Sequence, residues 1–171
     1  MDQRDFSRFV ALVGLAAAGA GGCSDAPPAT DFAAMQDRGA RAMGVDQYMS
    51  THLFDALTDG GRISLEREVD DPDGIVQIRR HLQGIARAFA AGAFDTPALV
   101  HAGPVPGTAV MAAKRDAITY TYAELPRGGE VRIVTEDPEA LRAIHEFMAF
   151  QRGEHRAGGQ DHGRHERRLH R

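Results

Sequence analysis

The sequence predicts an α+β domain with an antiparallel sheet of about five strands and helices packed on one face. Apolar and polar residues alternate before and after two Gly-Gly pairs, at residues 60–61 and 128–129, which is typical of strands joined by tight turns. An Asp-Pro pair follows each return strand, and apolar residues then recur at intervals of three or four, which is typical of an amphipathic helix. Helices with one apolar stripe fit a layer that covers one side of a sheet.

This pattern of strand, turn, strand and helix occurs twice, and the repetition predicts a duplicated unit. Across the strands the two copies match at a constant offset of 68: Phe54, Leu57, Gly60, Gly61, Ile63 and Leu65 with Tyr122, Leu125, Gly128, Gly129, Val131 and Ile133. Across the helices the offset is 66: Asp71, Pro72, Ile75, Ile78 and Leu82 with Asp137, Pro138, Leu141, Ile144 and Met148. The alternative is a chance likeness between two units of a common type.

The helices that follow the two hairpins are predicted to begin in the same way. Asp71 and Asp137 can each accept hydrogen bonds from the free amides of a first helical turn. Pro72 and Pro138 have the backbone angle that the first helical position requires. We therefore interpret the acidic pairs that precede the two prolines as helix caps and not as catalytic carboxylates.

The remaining predicted elements are a helix capped by Asp31, a strand before the first turn, and a further hairpin. Residues 94–107 contain three prolines and are predicted to form an irregular apolar loop held over the domain. Residues 108–113 and 117–123 are predicted to pair as strands around a turn at 114–116. The strand over 108–113 brings the predicted total to about five.

The first 22 residues are predicted to be a lipoprotein-type signal peptide. An apolar run from Phe9 to Ala20 is too short to span a bilayer, and small residues lead from it to Cys23. We expect this single cysteine to carry a lipid that anchors the chain to a bacterial membrane, facing the periplasm; plain secretion is the alternative. The predicted parts that follow are a tether (23–30), one globular domain (31–156) and a disordered tail rich in His, Arg and Gly (157–171).

Charge and motifs exclude several classes of function. With 171 residues and a net charge of −4, the chain has no basic surface suited to nucleic acid, so no such partner is expected. It contains no nucleophile elbow, P-loop, dinucleotide-binding glycine motif, His-Glu-x-x-His motif or cysteine pair. No catalytic residue is therefore assigned from the sequence.

Histidine is the remaining candidate for chemistry. Imidazoles from separate elements, with a thioether nearby, can build a copper or zinc site, and the candidate ligands are His52, His81, His101, Met111, His145 and His155. The alternative is that each histidine is a hydrogen-bonded structural residue and that Met111 fills the core. In the tail, His162 and His165 are expected to bind such metals loosely, as any exposed His-rich tract does.

Four segments resemble a group of small exported bacterial proteins of unassigned function: IRRHL (78–82), VH-x-G followed by PG (100–107), ITYTY-x-x-LP-x-GG (118–129) and TEDPEALRAIHEFMAFQ with a closing EH (135–155). The resemblance implies an exported domain whose shared pattern includes His101, His145 and His155. Such proteins are sometimes labelled aspartate carbamoyltransferase. That activity is not expected here, because those enzymes need a Ser-Thr-Arg-Thr phosphate loop and two α/β domains, in a chain nearly twice as long.

Three functional hypotheses follow. The leading one is a non-enzymatic, lipid-anchored domain of the bacterial envelope that binds a ligand, with copper or zinc held by histidines as the candidate. The first alternative is a structural or interaction module without a metal site. The second is a small enzyme that uses a His/carboxylate acid–base pair, with His101 or His145 as the histidine. The distances between the imidazoles in the folded chain separate these hypotheses.

Overall fold

The computed structural model describes residues 29–44 and 49–157, with side chains from residue 32 onward. The signal peptide, Cys23, most of the tether and nearly all of the tail lie outside these residues. In chain order the elements are α1 (Ala29–Met43), β1 (Ser50–Leu57), β2 (Gly60–Arg67), α2 (Pro72–Ala90), α3 (Asp95–His101), α4 (Thr108–Ala113), a 3-10 turn (Arg115–Ala117), β3 (Ile118–Leu125), β4 (Gly128–Thr135) and α5 (Pro138–Glu154). The fold is α+β, as predicted.

The sheet is antiparallel, with strand order β1-β2-β4-β3, so that β2 and β4 pair at its centre. In that central pairing Ile63 lies opposite Val131, and these two residues are separated by the same 68 positions (131 − 63) as the matched sequence segments. Two positions away on either side, Gly61 pairs with Ile133 and Leu65 pairs with Gly129. The repeat relates these two pairs to each other, because Gly129 is the counterpart of Gly61 and Ile133 is the counterpart of Leu65 at the offset of 68. The central register is therefore symmetric about Ile63 and Val131.

Two glycines allow the central strands to pair along their full length. Gly60 has a φ of +150°, and a Cβ atom there would overlap the carbonyl oxygen of Ile133. A Cβ atom at Gly128 would in the same way overlap the carbonyl oxygen of Leu65. Because both positions place one backbone directly against another, a side chain at either would force the strands apart.

Helices α2 and α5 cover one face of the sheet. Asp71 accepts a hydrogen bond from the amide of Gly74 (3.1 Å), and Asp137 accepts from the amides of Glu139 and Ala140 (2.8 and 2.9 Å). Helix α2 packs on β3 and β4, and α5 packs mainly on β1 and β2, so each helix covers the hairpin that it does not directly follow. The largest fully buried side chains are Phe89, Phe147, Leu65, Ile78, Leu82, Met111, Ile133, Ile144, Met148 and Val131.

The prediction of a strand over residues 108–113 is wrong, because this segment is helix α4. The described residues consequently form four strands and not about five. The segment is rich in alanine, which favours a helix, and the amide of Met111 donates to the carbonyl of Gly107 (3.0 Å). Of the residues in this helix, Met111 alone is fully buried in the core.

The apolar loop predicted over residues 94–107 contains the short helix α3. Pro97 is tolerated there because it lies in the first turn, where amides lack an intrahelical partner in any case. Val100 and Val105 are buried, and Arg38 of α1 donates from Nε to the carbonyl of Val100 (2.7 Å). The segment is therefore held against α1 over the body of the domain.

Among the helices of residues 29–44 and 49–157, none combines the length and the hydropathy of a membrane span.

Substitution of Gly60 tests the close approach at the centre of the sheet. We expect Gly60→Ala to lower the free energy of unfolding by roughly 2–4 kcal/mol, because it combines a disfavoured φ with backbone overlap. The matched control is Gly84→Ala in α2, where no atom lies within 4 Å of the added Cβ. That change should raise the free energy of unfolding by about 0.5–1 kcal/mol, since alanine is the better helix former. Urea unfolding followed by circular dichroism measures both, and a Gly60→Ala variant as stable as the wild type contradicts the register.

Candidate functional site

Four histidines from four parts of the fold line one small cavity. The cavity has a volume of about 60 Å³ and lies where α1, β1, α2, α3 and α5 meet. His52 comes from β1, His81 from α2, His101 from the last position of α3, and His155 from the C-cap directly after α5. The rest of the wall is largely apolar: Met43, Phe54, Ile63, Leu82, Ile85, Phe89, Pro97, Val100 and Phe147.

The rings of His52, His155 and His101 follow one another across the cavity. The ring centroids of His52 and His155 are 5.4 Å apart, and those of His155 and His101 are 5.1 Å apart. Phe54 supports two of these rings, with centroid distances of 4.4 Å to His52 and 5.5 Å to His155. His52 therefore lies on the same strand face as Phe54, where the alternation in the sequence places it.

Gln151 fixes the orientation of His101. Its side-chain oxygen lies 3.0 Å from Nε2 of His101, and the glutamine is itself buried. An amide oxygen only accepts hydrogen bonds, so Nε2 of the neutral ring carries the proton and Nδ1 keeps a free lone pair. This Nδ1 is buried and has no hydrogen-bond partner in the described residues.

His155 presents a second buried nitrogen without a partner. Its Nδ1 makes no hydrogen bond within the described residues, although the ring lies between two other imidazoles. Buried polar atoms in folded proteins are nearly always paired, so two unpaired nitrogens on neighbouring rings are unusual. Both belong to residues that can donate a lone pair to a ligand.

The histidines of the cavity are held in their neutral form. Burial, followed by the proximity of His155 and His81, holds the pKa of His52 well below its ordinary value. Burial lowers the pKa of His81 to about 4, although a backbone hydrogen bond with Ala42 opposes the shift. Burial and the neighbouring His101 lower the pKa of His155 to about 4. The pKa of His101 is also lowered by burial, against the opposing effect of Gln151.

Two of the sequence-predicted ligands do not belong to the cavity. His145 lies on the part of α5 that faces β1, and its Nε2 is 2.8 Å from the carbonyl oxygen of Leu57. Met111 lies in the hydrophobic core. Neither residue lines the cavity. The structure therefore brings together four of the six candidates, and each of the other two has a structural role that its contacts explain.

The imidazoles share a cavity without forming a complete coordination sphere. In the described residues, no group of three or more His, Cys, Asp or Glu side chains is arranged to hold a metal ion as it stands. Among the described residues that line the cavity there is also no aspartate or glutamate. The cavity thus offers neutral nitrogen donors, one buried amide and apolar surface.

Sequence reasoning missed Gln151, which positions His101. A signal was available, because Phe147, Gln151 and His155 recur at intervals of four and so lie on one side of α5. This periodicity identifies one face of the helix. The residue that Gln151 contacts, His101 at the end of α3, lies 50 residues away in the chain (151 − 101). No local pattern connects the two.

The chain was compared with protein-family models, curated proteins and solved structures. No protein-family model, curated protein or solved structure matches the chain.

Acid should destabilise the domain through the cavity histidines. Their folded pKa values lie below the ordinary value of about 6.5, so the unfolded chain binds more protons in this range and the free energy of unfolding falls as pH falls from 7 towards 4. At pH 5 we expect a loss on the order of 1–2 kcal/mol for each of His81 and His155. Chemical denaturation at a series of pH values measures it.

Substitution of His81 isolates one part of that loss. His81→Leu should reduce the pH dependence between pH 7 and pH 5, since leucine binds no proton in either state. Arg87→Ala, an exposed change on the same helix, is the control and should leave the dependence unaltered. An identical pH profile for the wild type and His81→Leu would show that the imidazole of His81 is solvated in the folded state.

Proposed function

We propose that this protein is a non-enzymatic, lipid-anchored domain of the bacterial envelope that binds a copper or zinc ion in the histidine-lined cavity. The observation that carries the proposal is that His101 and His155, which both line one largely apolar cavity, each have a buried Nδ1 without a hydrogen-bond partner in the described residues. A ligand that accepts their lone pairs would satisfy both atoms. A transition metal ion is the ligand that neutral imidazole favours.

The spacing of the rings supports this proposal. Two imidazoles on one tetrahedral ion, with metal–nitrogen bonds of about 2.0–2.1 Å, place their ring centroids roughly 5 Å apart. The centroid distances of 5.1 and 5.4 Å around His155 are of that size. His101 and His155 are the proposed first ligands, and His52 becomes the third when its ring turns toward them. His81 also lines the cavity and is the proposed fourth ligand.

The charge state of the site supports the same chemistry. Ligands must be deprotonated before they bind a metal ion, so a protonated imidazole competes with the ion. Because burial lowers the pKa values of His81 and His155 to about 4, these rings need not release a proton at neutral pH. The hydrogen bond from His101 to Gln151 fixes the tautomer in which Nδ1 is the free donor, as partners in the outer shell of metal sites commonly do.

A structural or interaction module is the second candidate. It is favoured by the lack of any ready-made group of three ligands in the described residues and by the stacking of His52 and His155 on Phe54. In that case the imidazoles act as packing groups. An enzyme with a His/carboxylate pair has less support, because the described part of the cavity wall contains no carboxylate.

The two halves of the sheet are proposed to be copies of one ancestral hairpin–helix unit. Strands β1 and β3, and likewise β2 and β4, have bounds that differ by 68 residues, the offset that also relates their matching sequence positions. The symmetric register about Ile63 and Val131 supports this origin. The histidines of the cavity do not follow the repeat: the counterpart of His52, at the strand offset of 68, is Tyr120, and the counterpart of His81, at the helix offset of 66, is Phe147.

Titration with metal tests the binding proposal. The protein is the full chain with His162→Ala, His165→Ala and His170→Ala, which removes the loose sites of the tail. Isothermal titration with Zn(II) or Cu(II) at pH 7 should give one ion per chain with a dissociation constant of about 1 µM or lower. His101→Gln and His155→Gln should each weaken binding by more than the roughly 10–100-fold that the loss of an outer-shell partner costs, because each removes a proposed ligand.

The matched control is His145→Gln, which lies outside the cavity and retains a donor for the carbonyl of Leu57. It should bind one ion with unchanged affinity. Thermal unfolding of each variant checks that the fold survives. Millimolar binding, or tight binding that all three variants retain equally, supports the structural module instead.

Anchoring is tested independently of metal. When the chain is expressed in a bacterium with a lipoprotein-processing pathway, the wild type should be found in the membrane fraction and be released by detergent. Cys23→Ser should be found in the soluble or secreted fraction, because the acceptor for the lipid is lost. Recovery of both forms in the soluble fraction would leave secretion as the correct account.

A further inference from the structure

Three surface clefts adjoin the histidine cavity, and each shares with it one or two of the imidazoles. The cleft beside His81 is the largest, with a volume of about 670 Å³. A cleft of about 350 Å³ adjoins His101, and a cleft of about 220 Å³ adjoins His52 and His155. Each of the four histidines therefore belongs both to the wall of the cavity and to the wall of an adjoining cleft.

The charged residues of these clefts are mostly arginines. Arg41 and Arg80 line the cleft beside His81, Arg38 and Glu154 line the one beside His101, and Arg156 lines the third. These five residues, here called the arginine collar, give four positive charges and one negative, a sum of +3. The complete chain has a net charge of −4, so the collar is opposite in sign to the protein that carries it.

The arginines of the collar are not neutralised by ion pairs in the described residues. The ion pairs there involve other cations: Arg62, Arg67, Arg79, Lys114, Arg115 and Arg132. Arg38 instead donates to the carbonyl of Val100, and the guanidinium of Arg156 lies 4.3 Å from the ring centroid of Phe32. Among the acidic residues of α1 and α3 whose side chains the structure describes, Asp37 and Asp95 are exposed and do not line the clefts.

A positive collar selects against a free metal cation. Clefts lined by one sign of charge concentrate ligands of the opposite sign and slow the entry of ligands of the same sign. The guanidinium group also matches the geometry of a carboxylate, which it can bind through two parallel hydrogen bonds. The cavity behind the collar is uncharged and rich in nitrogen, so it favours the metal over the carboxylate.

We infer that the metal ion reaches the cavity as an anionic complex with a small polycarboxylate, which the arginine collar receives before the imidazoles take over the ion. This inference rests on the proposed metal-binding function. The cleft with Arg41 and Arg80 is the entry, because it is the largest and has two guanidinium groups beside His81. His81, His101 and His155 would supply neutral nitrogen donors in place of the carboxylate oxygens, and the polycarboxylate would return to solvent, with no change in the oxidation state of the ion.

Copper supplied in two forms tests the inference. The protein is the full chain with the three tail histidines replaced by alanine, and the probes are Cu(II) citrate, which is anionic, and Cu(II) bis-glycinate, which is neutral. Stopped-flow absorbance follows the shift of the copper band as imidazole ligands replace oxygen. The rate constant for citrate should fall as salt is added, whereas that for bis-glycinate should change little.

A double variant assigns the effect to the entry cleft. Arg41→Gln with Arg80→Gln should lower the rate constant for Cu(II) citrate by about tenfold and change that for bis-glycinate by less than about twofold, because only the first is steered by charge. The control is Arg87→Gln with Arg142→Gln, which removes the same charge from exposed positions outside the clefts and should leave both rates unaltered. Thermal unfolding verifies that both double variants are folded.

The outcomes separate this inference from the binding proposal. If equilibrium titration gives one tight ion but the citrate rate does not respond to salt or to the loss of Arg41 and Arg80, the collar has no role in delivery and the inference is overturned. Equal slowing by the control pair would assign the effect to net charge, which also overturns it. Absence of tight copper binding in either form removes the proposed function and this inference together.

Discussion

The pairing of β2 with β4 is the constraint on which the rest of the domain depends. It joins two hairpins that are otherwise separate in the chain, and it does so in one register because Gly60 and Gly128 let the backbones meet. A shift by one residue would turn Ile63 and Val131 away from the helices, at the cost of the whole buried face. With the pairing fixed, α2 and α5 must each lie across the hairpin of the other half.

The histidine cavity follows from that arrangement. It forms at the end of the domain where α1 and α3 close over the space between β1, α2 and the end of α5. Burying several imidazoles in an apolar site is favourable only when they are neutral, and the lowered pKa values of His52, His81, His101 and His155 are the consequence. The same burial leaves two Nδ1 atoms without partners, which costs stability unless a ligand accepts them.

Charge and burial divide the site into two zones that favour different kinds of ligand. The inner wall is neutral and has nitrogen donors and aromatic rings, whereas the surrounding clefts contain arginines. The first zone suits a transition metal ion and the second suits an anion, so a ligand that combines both fits better than either alone. The arginines of that outer zone are Arg38, Arg41, Arg80 and Arg156.

The sequence by itself determined the α+β class, the two hairpin turns, the starts of α2 and α5, and the strand face shared by His52 and Phe54, because each depends on neighbours within a few positions. It failed for residues 108–113, which were predicted as a strand although their alanines favour a helix, and the helix that they form packs against α5. Only the tertiary structure decided which histidines meet. His101 and Gln151 contact each other across 50 residues, and Leu57, not a shared cavity, holds His145. Local periodicity fixes the side of an element on which a residue lies, but the neighbour on that side is set by how the elements pack.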